Sequence, residues 1–99
     1  MVQTSKDMLV AVEKLVDKTK RDLVEAKEGL ENLNNQLKVD DMMFIELEAK
    51  KDELAEEQKY VVLAIKGEIM LQNNNISELE VGLKLLYKKH EILKRDWDF

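Results

Sequence analysis

At 99 residues, with 37% charged side chains and only five Phe, Trp or Tyr, the chain has little material for a compact core. A formal net charge of −5 withholds the basic surplus that a phosphate backbone requires, so nucleic acid is not an expected partner. The absence of proline and the abundance of Glu, Lys, Leu and Asp set strand-rich folds aside in favour of long helices, and the absence of cysteine removes disulfides and thiolate metal ligands.

The N-terminal stretch Met1–Asp7 has no apolar run behind a basic start, so no signal peptide is expected. Thr4 and Asp7 have the spacing of a capping box, which places the start of a first helix just before Met8-Leu9-Val10. From Leu9 an apolar seam advances by alternating steps of four and three residues, the repeat that keeps one row of side chains facing a partner helix. One row of this seam reads Leu9, Val16, Leu23, Leu30, Leu37, Phe44, Lys51, Gln58 and Ile65. The other reads Val12, Thr19, Ala26, Leu33, Asp40, Leu47, Leu54 and Val61.

Two stretches of poor helix formers interrupt the pattern, Lys38-Val39-Asp40-Asp41 and Gln72-Asn73-Asn74-Asn75. Breaks at both would give a three-helix antiparallel bundle. The seam, however, passes Asp40 without changing phase, which favours one continuous helix there. After Ile65 a step of four moves the seam to Ile69, Gln72, Ile76, Leu79, Leu83, Leu86, His90, Leu93 and Trp97, a stutter of the kind that unwinds a supercoil locally.

Asp40, Lys51 and Gln58 place polar groups on the seam, where they set register and orientation. In a parallel homodimer Asp40 would face Asp40 and Lys51 would face Lys51. Antiparallel pairing can instead set Asp40 against Lys51 twice, with Phe44 on Leu47, Leu37 on Leu54, Leu30 on Val61 and Ala26 on Ile65. An antiparallel homodimer is thus the favoured arrangement, over pairing with another helical protein or folding back within the chain. Met42-Met43-Phe44-Ile45 and Tyr60-Val61-Val62-Leu63-Ala64-Ile65 are apolar nearly all round the helix, so a further helix is expected to cover their backs.

Little chemistry is expected. His90 has no ligand three or four residues away on its own helical face, and reads as a seam residue. The acids around Glu46 to Glu57 read as a solvated face, supported by pairs such as Glu46 with Lys50 and Glu91 with Arg95. Asn75-Ile76-Ser77 matches a glycosylation acceptor, but no secretory signal accompanies it. No phosphate loop, nucleophile with a base, cofactor motif or metal site is visible, and no apolar run is long enough to span a membrane.

The expectation is therefore an all-α, non-enzymatic coiled-coil segment over residues 1–99, cytoplasmic or nuclear, that mediates oligomerisation or scaffolding by pairing with itself or another helical protein. Its expected interface is Leu23, Leu30, Leu37, Asp40, Phe44, Leu47, Lys51, Leu54, Val61, Ile65, Ile69, Ile76, Leu79, Leu83, Leu86, Leu93 and Trp97. The alternative is a compact three-helix chaperone or adaptor domain that binds a protein client.

Overall fold

The computed structural model describes the backbone of residues 2–97 and the side chains of residues 6–95. Within them the chain is all-helical, with α1 (Val2–Ala49) and α2 (Ala55–Trp97) joined by a turn over residues 50–54. The continuity expected through Asp40 holds. Two expectations are corrected: the seam does not run on one helix past the turn at 50–54, and there are two helices rather than the three of the alternative reading. Residues 38–41 lie inside α1 and residues 72–75 inside α2. Because α1 is already helical at Val2, Thr4 does not stand at its N-cap.

The turn is built from hydrogen bonds that satisfy the free ends of both helices. At the end of α1, Asp52 N–H donates to the Leu47 carbonyl at 2.9 Å and Lys51 N–H to the Glu48 carbonyl at 3.0 Å. These are the paired bonds of a Schellman motif, which needs a left-handed residue at the position after the cap. Lys51 occupies it with φ of 55°. Glycine is the usual residue there, because any Cβ crowds the following carbonyl oxygen. Asp52 then leads into α2: its Oδ1 accepts from Leu54 N–H at 2.9 Å and its carbonyl accepts from Ala55 N–H at 3.1 Å. This is N-cap geometry, with Glu56 and Glu57 placing negative charge in the first turn.

The seam explains why the helices pair. Along α1 every seam position from Leu9 to Leu47 is buried or half-buried. Along α2 one unbroken phase runs through Ala55, Gln58, Val62, Ile65 and Ile69 and on to Leu93, again with every member at least half-buried. Val62 is 6% exposed whereas Val61 is 43% exposed, so the expected stutter at Ile65 does not exist. The phase changes because the chain turns at 50–54. Gln58 and Ile65 belong to both phases, which hid the earlier position of the change.

Two compact units divide the helices, and each has its own packed seam. In the unit Ala26–Asn75, an antiparallel hairpin, Ala26, Gln58, Val62 and Ile65 are buried, flanked by half-buried Leu37, Phe44 and Ile69. The other unit joins residues 1–25 to residues 76–99, and buries Val12, Val16, Leu23 and Ile76. Among the described residues no large side chain is completely enclosed. Two helices meet along one line of contact only, so each seam side chain is covered from one direction.

Candidate helix-pairing surfaces

Two glutamines fix the register of the hairpin. Gln58 is 7% exposed, and its Nε2 donates to both the Asp40 carbonyl and Asp40 Oδ1 at 3.0 Å. Gln72 Nε2 donates to the Ala26 carbonyl at 2.9 Å. From Gln58 to Gln72 is the same number of residues as from Asp40 back to Ala26, so both bonds belong to one antiparallel register without a slip. A helix carbonyl has a second lone pair beyond its own ladder, which lets it accept such a bond while the helix continues. Gly29 makes room for one of them: a Cβ there would stand 3.3 Å from Gln72 Nε2.

The same geometry explains why residues 38–41 stay helical. Asp40, half-buried, has its carboxylate answered by an amide on the facing helix rather than by Lys51. Lys51 lies in the turn and is exposed. The Asp40–Lys51 layer expected between copies thus has no counterpart within the chain.

Of the expected interface residues, Leu23, Ile65 and Ile76 are buried. Leu30, Leu37, Asp40, Phe44, Leu47, Ile69, Leu79, Leu83, Leu86 and Leu93 are half-buried. Lys51, Leu54 and Val61 are exposed, because the seam phase that placed them inside ends at the turn. The side chain of Trp97 lies outside the described residues. Sequence reasoning missed Val62, whose signal was a step of four from Gln58. It also missed the cap at Asp52, signalled by the acids Glu53, Glu56 and Glu57 that follow it.

In the other unit, polar groups flank the seam. His90 Nε2 lies 3.1 Å from Glu13 Oε1, joining the two helices at a half-exposed site. Lys20 Nζ sits 5.7 Å from the centre of the Tyr87 ring, within cation–π range. Thr19, on the seam, turns its hydroxyl to the Leu15 carbonyl at 2.7 Å and so needs no partner across the interface.

The outward faces carry the apolar surplus. On α1, Val39, Met42, Met43, Ile45 and Ala49 line a shallow surface depression with Glu46, and Met42 is 70% exposed. On α2 within the same unit, Tyr60, Leu63, Met70 and Leu71 are exposed. In the other unit Met8 and Leu15 of α1 and Val81, Leu85 and Ile92 of α2 are exposed too. Single exposed apolar residues are ordinary on proteins, but contiguous groups of large ones mark surfaces that meet another apolar surface.

Comparison with known protein families, characterised sequences and solved structures finds no match to this chain. Its chemistry is read from its own residues. Among the described residues there is no group of three or more His, Asp or Glu placed to hold a metal ion. No described helix is long and apolar enough to cross a membrane.

Proposed function

We propose that this chain is an intracellular, non-enzymatic assembly module, a helical hairpin that associates through its outward faces with further helices, its own copies included. The observation that carries this reading is the exposed group Val39, Met42, Met43 and Ile45, which lies outside the seam that the hairpin already closes. Covering such residues stabilises by about 25 cal/mol per Å² of apolar surface removed from water, a gain the hairpin alone leaves unused.

The seam itself supports a coiled-coil geometry. Its steps of three and four match helices packed side chain into gap, and its antiparallel sense within the hairpin answers the requirement that Asp40 avoid a like charge. Antiparallel homodimerisation, expected from sequence through this seam, is now assigned to the outer faces, because the seam residues already pair in cis.

Light scattering with small-angle X-ray scattering over a wide concentration range tests the reading. An oligomer, reduced toward monomer by Met42→Lys with Ile45→Lys, is the expected result. A monomer that is stably folded at every concentration would overturn it. Met42 and Met43 also favour a second reading, an adaptor that binds a protein client, since flexible thioether side chains adapt to varied apolar partners. That reading predicts a monomer that suppresses aggregation of an unfolded test protein.

A further inference from the structure

The outward face of α2 has a repeat of its own. Tyr60, Ala64, Gly67 and Leu71 follow one another by four, three and four residues, and Leu63 and Met70 run beside them on the same side. All six are exposed. Glu57 precedes the first of them by three residues and Asn74 follows the last by three, so a polar residue closes each end. The stripe is large at both ends and small in the middle.

We infer that this stripe is an antiparallel homodimer interface in which α2 of a second copy crosses at Ala64 and Gly67. The inference rests on the assembly reading above and specifies its partner. When Ala64 of one copy lies against Gly67 of the other, Tyr60 meets Leu71 and Leu63 lies beside Met70, each twice by symmetry. Small residues at the crossing let the two backbones approach, and large ones fill the wider spaces on either side. The ends agree as well. Glu57 of each copy meets Asn74 of the other, where an amide N–H faces a carboxylate and no like charges oppose each other.

Other arrangements of two copies lose this match. Parallel pairing sets Gly67 on Gly67 and Tyr60 on Tyr60, leaving a gap beside a crowded layer, and brings Glu57 against Glu57. Shifting the antiparallel register by one heptad either way buries Asn74 against Ala64 or Glu57 against Gly67, each a polar group taken from water by an apolar neighbour. A contact of one helix face on another falls at the small end of specific interfaces, so a reversible dimer of micromolar affinity is expected.

Gly67 supplies the test, because a Cβ there would meet nothing within 4 Å in the chain. Gly67→Gln therefore leaves the hairpin intact and improves helix propensity while obstructing the crossing. Sedimentation equilibrium of the full chain should show dimerisation weakened by at least about tenfold. Circular dichroism of the diluted variant should show helicity equal to or above that of the parent. Because the chain has no cysteine, orientation can be read directly by mixing Leu63→Cys with Met70→Cys and adding a short bismaleimide linker. Cross-linking between the two variants, in excess over either with itself, supports the antiparallel crossing. Assembly that survives Gly67→Gln, or cross-links mainly like to like, overturns this interface and leaves the assembly reading standing. A monomeric parent chain overturns both.

Discussion

Gln58 shows how much one polar side chain decides in a structure with so little core. It is the one buried polar residue among the described side chains, and both of its donated bonds end on Asp40. Removing one partner while the other remains between helices costs more than the bond is worth, because the surviving group keeps its desolvation penalty. Gln58→Ala should therefore lower hairpin stability by about 1–2 kcal/mol in urea denaturation. Replacing both partners with leucine, Asp40→Leu with Gln58→Leu, should recover most or all of that loss. The recovered stability would come with a weaker register, visible as broadened NMR resonances across the turn. Sequence reasoning identified Asp40 and Gln58 as register-setting but paired Asp40 with Lys51. The rule that charges seek opposite charges was applied where an amide donor was nearer.

At the scale of the element, the turn over residues 50–54 carries the most specific expectations. Lys51 adopts a left-handed backbone that glycine reaches without a clash, so Lys51→Gly should stabilise by about 0.5–1 kcal/mol, the relieved strain being partly offset by the freer unfolded chain. Asp52→Ala removes the oxygen that accepts from Leu54 N–H and should cost about 1 kcal/mol. Thermal unfolding monitored at one concentration should move up for the first and down for the second. The break was hard to read because Lys50-Lys51-Asp52-Glu53 contains neither glycine nor proline, and each residue alone is acceptable on a solvated helix face. The asparagine and aspartate stretches, which propensity marked as breaks, remain helical because Asp40 and Gln72 are each held by a hydrogen bond to the facing helix. The two seam phases were legible, and their disagreement was the signature of the turn. Only its position was misread, since Gln58 and Ile65 fit either phase.

For the molecule as a whole, the proposed association would be linked to stability. With no large described side chain completely enclosed, the hairpin stands on a thin margin, and any second copy or partner that covers the outer faces adds directly to it. The midpoint of thermal unfolding should accordingly rise with protein concentration, and Gly67→Gln or the Met42→Lys, Ile45→Lys pair should flatten that dependence. An all-helical chain built to pair was evident from composition and periodicity alone. That the seam pairs in cis and leaves apolar stripes exposed on the outer faces was not, because periodicity reveals which face is apolar but not which chain covers it.

The change of phase at the turn also bears on arm exchange. Nothing in residues 50–54 forbids a straight helix, so two copies could in principle open and trade α2. In a straightened chain, however, the seam of α2 would swing about 50° around the helix from that of α1, half a residue's rotation. A swapped pair could bury both seams against one partner only by unwinding locally. The offset of half a residue's rotation between the two seams thus disfavours trading α2 between copies and keeps each α2 with its own α1.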